Sequence, residues 1–162
     1  MLQPLSNYAF IDSNNLHLGI RRQGWTLDYR RFRTYLREKH GVLRAYLFIG
    51  YMPQHSALYQ MLESWGYILM FKEISRDHAG IVKGNCDAEL VLQVMIDLYH
   101  YHQAVIITGD GDFACLLTHI QKLGKLRCLM IPDMHKYSRL LNPFRSCMIY
   151  LSPLKEKLQY KK

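Results

Sequence analysis

The chain has no C-x-x-C pair and no cysteine–histidine cluster at zinc spacing. Its four cysteines, Cys86, Cys115, Cys128 and Cys147, stand 29, 13 and 19 residues apart, which argues against a structural zinc site. Cys115 and Cys128 lie in apolar segments and are expected as small buried hydrophobes. The opening residues 1–15 show no basic stretch followed by an apolar run, so they do not read as a signal peptide, and the thiols are expected to be reduced. The longest apolar candidate, Ala104 to Thr108, is strand-sized and far short of the ~18–20 residues of a membrane helix. No repeat recurs at a period of roughly 20–50 residues, which excludes a solenoid array. No glycine loop of the Walker or dinucleotide-binding type follows the first apolar run, which argues against nucleotide cradling. A soluble, cytoplasmic domain is expected.

Acids are scarce. Against 21 lysines and arginines stand 13 aspartates and glutamates, for a net charge of +8 in 162 residues. Such a surplus favours polyanionic partners, nucleic acid first and anionic membrane second. Hydrophobic residues make up 49%, enough to bury a core and to exclude a disordered chain.

Apolar runs alternate with helical patterns. Tyr8 to Asp12 reads as a buried strand, followed by a loop through Gly19 and Gly24. A helix is predicted from Thr26 or Asp28 to His40, with Gly41 as its C-cap. Val42 to Tyr51 reads as a central strand, and Pro53 opens a helix carrying Leu58, Met61, Leu62 and Trp65. Tyr67 to Phe71 is a third strand. Residues 74–85 read as a loop, and Asp87 to His100 as a helix. Ala104 to Thr108 is the clearest strand. A helix from Phe113 to Leu123, a strand from Leu126 to Ile131, a short helix near Tyr137 to Leu141 and a strand from Met148 to Leu151 complete the pattern. Near-continuous apolar strands between helices predict an α/β fold, a doubly wound and mostly parallel central sheet covered on both faces.

Ligands of such sheets sit beyond the carboxyl ends of the strands, where the strand order reverses. Asp12 ends the first strand. Asp110 and Asp112 follow the strand at 104–108. Asp87 opens the helix after the third strand and its loop. Four of the thirteen acids are therefore predicted at one edge. Close carboxylates repel each other unless a cation neutralises them, and Mg²⁺ or Mn²⁺ takes oxygen ligands of this kind. Taken singly, each residue also has a plain structural reading: Asp12 as an N-cap or an Asx-turn, Asp87 and Asp112 as N-caps, and Gly109-Asp110-Gly111-Asp112 as a turn.

Phe10-Ile11-Asp12 with Asn15-Leu16, then Lys83-Gly84-Asn85-Cys86-Asp87-Ala88-Glu89-Leu90, then Ile107-Thr108-Gly109-Asp110-Gly111-Asp112-Phe113, resemble in order the motifs of the NYN/LabA-like branch of the PIN-like ribonucleases. The resemblance spans about residues 7–152. It implies a three-layer Rossmann-like PIN-type fold, with residues 1–152 as the nuclease domain and 153–162 as a basic C-terminal tail. It further implies a metal-dependent endoribonuclease, with RNA as partner and no membrane, and one or two Mg²⁺ or Mn²⁺ ions. Asp12, Asp87, Asp110 and Asp112 would be the catalytic and metal-binding acids. Asn15 would orient a ligand or the scissile phosphate, and Thr108 takes a hydroxyl position usually filled by serine. The chain departs from the resemblance at Gln93, where many members carry a further aspartate six residues after the position of Asp87. Asp97 is too far along the helix to replace it, and Glu89 faces away from Asp87. A catalytically weakened RNA-binding module is the alternative that this departure keeps open, and self-association is left open too.

For substrate binding the sequence offers Arg21 and Arg22 just after the first motif, to line the cleft. Arg76 and Lys83 bracket the 74–85 loop, to clamp phosphates as a lid. Arg30, Arg31, Arg33 and Arg37 read first as the solvated face of their helix. Trp25, Tyr29 and Tyr51 are candidates to stack bases.

Overall fold

The computed structural model describes residues 6–162, and for Val82 and Lys83 the backbone alone. Six strands form one all-parallel sheet: β1 (Asn7–Asp12), β2 (Val42–Tyr51), β3 (Tyr67–Glu73), β6 (Ala104–Ile107), β7 (Leu126–Ile131) and β8 (Met148–Tyr150). Their order is β3-β2-β1-β6-β7-β8. The chain winds outward from β1 in one direction and from β6 in the other, so the order reverses between β1 and β6, where ligands of such sheets bind. Ile11 lies opposite Leu47 of β2 and Ile107 of β6, and Asp12 lies opposite Phe48.

Alternate side chains of the strands feed two cores. Ala9 and Ile11 pack with Leu47, Val105 and Met130 beneath α1 (Ser13–Arg22), α2 (Tyr29–His40) and α3 (Ser56–Ser64). Tyr8 and Phe10 pack with Phe48, Ile106 and Leu129 beneath α4 (Asp87–Ile96) and α5 (Ala114–Lys122). The result is the three-layer α/β architecture expected from the alternation of elements.

Where the sequence predicted a loop through Gly19 and Gly24, residues Ser13–Arg22 are helical and bury Leu16, Gly19 and Ile20 on one stripe. Glycine reads as a loop signal, but here it is a contact: a Cβ on Gly19 would lie 2.7 Å from the Pro132 Cβ. In α3, Tyr59 and Leu62 face inward, while Leu58 and Met61 are exposed. The predicted 74–85 loop folds into a two-stranded antiparallel hairpin of β4 (Ser75–Arg76) and β5 (Val82–Lys83). The Asp77 Oδ1 accepts from the backbone of Ala79 and Ile81 and shapes its turn.

α4 ends at Ile96 rather than His100, because Asp97 leaves the helix to sit buried with Gln93 and His100 as neighbours. A 3₁₀ turn, Gly111–Phe113, precedes α5, and a nine-residue 3₁₀ run, Arg139–Cys147, replaces the predicted short helix. Cys115 is exposed rather than buried. Beyond β8, a last turn of helix, α6 (Lys155–Leu158), returns to the core. Leu158 is fully buried and its carbonyl accepts from Asp28 N–H at 2.8 Å. Among the described residues no helix is long and apolar enough to cross a membrane.

Candidate metal centre at the carboxyl edge of the sheet

β1 delivers Asp12 to the point of reversal, where it caps α1. Its Oδ1 accepts from Asn15 N–H at 3.2 Å and its Oδ2 accepts from the Thr108 hydroxyl at 3.0 Å. Thr108 is fully buried one residue past β6, and its hydroxyl accepts in turn from Asp110 N–H at 3.1 Å. One hydroxyl therefore joins the acids of two strands. Asn15 closes the frame by accepting from Gly109 N–H at 2.7 Å. Asp110 caps the 3₁₀ turn by accepting from Asp112 N–H at 2.9 Å. The loop lies tight under the next segment, and a Cβ on Gly111 would overlap the Ser138 hydroxyl and stand 2.8 Å from the Ser138 Cβ.

Asp87 arrives from the other side, on the first turn of α4. Asn85 clamps it twice. The Asn85 Oδ1 accepts from Asp87 N–H at 2.8 Å, and the Asn85 Nδ2 donates to the Asp87 Oδ2 at 3.1 Å. Lys72, near the end of β3, donates to the Asn85 carbonyl at 2.6 Å and pairs with Glu89 at 3.3 Å.

One carboxylate oxygen each from Asp87, Asp110 and Asp112 lies within 4.8 Å of the others. Opposite ligands of an octahedral Mg²⁺ or Mn²⁺ stand roughly 4.2 Å apart and adjacent ones about 3 Å, so three oxygens gathered this closely are on the scale of one cation's ligand shell. All three donors are hard oxygens, which suits these ions and not a soft metal. Asp12 stands beside this group, not within it. Burial pushes its carboxyl up to about 6; hydrogen bonds from Asn15 and Thr108 oppose the rise, and the charges of Asp87 and Asp110 add to it. Asp87 is also raised, first by burial, with the Asn85 hydrogen bond lowering it and Asp110 and Asp112 raising it. Mutual repulsion of this kind is what a bound cation relieves.

The remaining sequence-predicted residues distribute unevenly. Arg21 and Arg22 do not follow Asp12 as cleft residues in a loop: α1 carries them about 15 Å of helical rise beyond it, and Arg22 pairs with Asp133 at 3.4 Å. Arg76 lies exposed on the hairpin that leads into Asp87. Lys83 pairs with Ser75 through the backbone, and its side chain lies outside the described residues. Thr108, named for substrate binding, is buried with its hydroxyl spent on Asp12 and Asp110, so it holds the acids in place. Gln93 donates to the Asp97 Oδ2 at 2.9 Å, turned along α4 toward its C-terminal end. Trp25 is buried and Tyr29 packs against the core, whereas Tyr51 is 45% exposed. Sequence reasoning missed Lys72 and Asn85. An asparagine two residues before an acid is an Asx-turn signal, and the strand-end rule that singled out Asp12 reaches Lys72 as well.

Comparison with known proteins is consistent with this geometry. The sequence profile of the NYN domain family matches residues 8–143. The low amplitude and bright protein LabA of Synechococcus elongatus (strain ATCC 33912 / PCC 7942 / FACHB-805) is 32% identical to this chain over 121 residues, covering 68% of this chain and 65% of LabA. The chain thus spans just under two thirds of that relative's length. The crystal structure of a protein of unknown function from Vibrio parahaemolyticus RIMD 2210633 shares the fold, with a TM-score of 0.79, 18% identity and 99% of both chains covered.

Proposed function

The chain belongs to the NYN domain family, within the PIN-like nuclease superfamily, and on that footing we propose that it is a metal-dependent endoribonuclease. The observation that carries this reading is the convergence of Asp87, Asp110 and Asp112, from two distant chain segments, in a protein of net charge +8. Basic groups attract the RNA backbone, while the acids that would repel it are gathered where a cation changes their sign.

Asp87, Asp110 and Asp112 would hold Mg²⁺ or Mn²⁺, with Asp12 beside them. A divalent ion bound there supplies a Lewis acid for the scissile phosphate and makes water more acidic. Asp112 is exposed and Asp110 half-buried, and one of them would accept the proton of the attacking water. Asp12, with both oxygens hydrogen-bonded, holds α1 and the 108–112 loop in register. Asn15 contributes the amide NH₂ that it does not spend on Gly109. Arg76 and Lys83, on the hairpin before Asp87, steady the flanking phosphates.

The test is cleavage of a labelled single-stranded RNA on a denaturing gel with Mn²⁺, Mg²⁺ or EDTA. Cleavage is expected with either ion, none with EDTA, and a loss of at least about 100-fold in Asp12→Asn and Asp110→Asn. Equal cleavage in EDTA, or by Asp110→Asn, overturns the reading. A second reading, a catalytically weakened RNA-binding module of the same fold, draws on one observation: Gln93 replaces an acid and bonds to Asp97 instead. It predicts salt-sensitive RNA binding without products, and a gain of cleavage in Gln93→Asp.

A further inference from the structure

Alternate residues of a strand share a face of the sheet. Phe10 and Met70 pack in the core beneath α4, so Asp12 and Lys72, each two residues further on, point to the same face. Their strands both run parallel to β2, and both side chains therefore emerge at the carboxyl edge. The Lys72 ammonium is fixed there. It donates to the Asn85 carbonyl at 2.6 Å and pairs with the Glu89 Oε1 at 3.3 Å. Asn85 in turn clamps Asp87. Burial is the first cause that raises the Asp87 carboxyl, and the charge of Lys72 is among the influences that oppose the rise. The ammonium thus stands within electrostatic reach of the three-acid group.

A staple between β3 and α4 does not account for the whole arrangement. An ammonium has three N–H bonds to give. Asn85 and Glu89 face two of them, and the third has no acceptor among the described residues. Glu89 leaves its Oε2 buried with no hydrogen-bond partner, the one side-chain atom in that condition among the described residues. Such an oxygen costs stability, and the same side chain keeps its Oε1 on Lys72. With Asp12, Asp87, Asp110, Asp112 and Glu89 at this edge, a lone divalent ion leaves negative charge in excess, which repels a phosphate. We propose that Lys72 is a phosphate-binding catalytic residue: its unspent N–H reaches a non-bridging oxygen of the scissile phosphate and stabilises the charge that builds there during cleavage. A positioned cation aimed at a phosphoryl group is a recurring source of transition-state stabilisation, and lysine serves as a compact point charge. Its two protein contacts hold the ammonium in place before substrate arrives, so little freedom is lost on binding.

This rests on the reading of the edge as an RNA-cleaving site, and the experiment separates the two. The parent, Lys72→Met, Lys72→Gln and Lys72→Arg are compared in three measurements. These are single-turnover cleavage of a labelled oligouridylate in saturating Mn²⁺, Mn²⁺ binding by calorimetry, and binding of inorganic phosphate to the Mg²⁺-loaded protein by ³¹P NMR. Methionine removes the charge and keeps the apolar stem. Glutamine also removes the charge but keeps an N–H for Asn85, and it carries the test if the methionine variant does not fold. Both neutral variants are expected to cleave about 100-fold more slowly and to bind phosphate about 10-fold or more weakly. Their Mn²⁺ affinity should equal that of the parent or exceed it, because a like charge beside the site is gone. Lys72→Arg should stay within about 10-fold of the parent rate, since the charge is kept. Parental cleavage by the neutral variants overturns the proposal and leaves the nuclease reading standing. Slower cleavage with weaker Mn²⁺ binding and unchanged phosphate binding makes Lys72 a staple for Asn85 and Asp87, and overturns it too. In a parent that cleaves no RNA the nuclease reading fails, and the phosphate measurement still decides the site: loss in the neutral variants supports the contact, equal binding overturns it.

Discussion

Thr108 shows how little material holds the edge together. A buried hydroxyl donates to Asp12 and accepts from Asp110 N–H, so valine at this position deletes both bonds at almost constant volume. Thr108→Val is expected to cost about 1–3 kcal/mol and to lower RNA cleavage, with Thr108→Ser recovering most of both. Urea denaturation and gel cleavage check the pair, and an unaltered midpoint in the valine variant would contradict the role given to the hydroxyl. Asn85 is the counterpart on the other side of the site. It touches Asp87 through two bonds, and partners of metal ligands tune affinity by about 10- to 100-fold. Asn85→Ala should weaken Mn²⁺ binding by that factor in calorimetry while leaving the melting temperature within a few degrees. Binding as tight as that of the parent would show that Asp87 needs no clamp.

At the scale of elements, what the sequence reveals depends on whether the deciding contact is local. β2 and β7 are legible to the residue, because strands buried on both faces are nearly unbroken apolar runs. Asp12, Asp87, Asp110 and Asp112 are legible as an edge group because strand ends place them. α1 is not legible: two asparagines and Gly19 speak for a loop, and only the approach of Pro132, more than a hundred residues later, explains why glycine is there. The Arg139–Cys147 run is hidden for a related reason, since Pro143 interrupts any helical period. Lys72 escapes notice because its partner Asn85 is reached through tertiary folding of β3 against the start of α4. The contact at Gly19 makes a direct prediction. Gly19→Ala should destabilise the protein by about 1–3 kcal/mol through overpacking, although alanine is the better helix former in isolation. A variant at least as stable as the parent in thermal melts would mean that α1 shifts freely over Pro132.

The whole molecule carries its acids as a standing electrostatic load. The unfolded Asp12 titrates near 3.8 and the folded one near 6, so between these values the folded state holds a proton that the unfolded state has lost. Stability from this group is therefore present at low pH and falls as pH rises through that window, by up to about 3 kcal/mol. His17 and His40, both pushed down by burial, act in the opposite sense below about pH 6.5. Comparison with Asp12→Asn isolates the carboxyl: the variant should gain on the parent as pH rises from 4 to 7, and saturating Mn²⁺ should reverse the ranking at pH 7. A constant difference across that range would show that Asp12 bears no such load. The strand order has a separate bearing on biosynthesis. Of the six strands of the sheet β1 leaves the ribosome earliest, yet it belongs in the middle, beside a strand that begins at Ala104. At translation speeds of roughly 5–20 residues per second, the β1–β3 half waits about 2–6 seconds for β6. Throughout that interval its inner border is bare, and the nascent protein is most exposed to mispairing or chaperone capture.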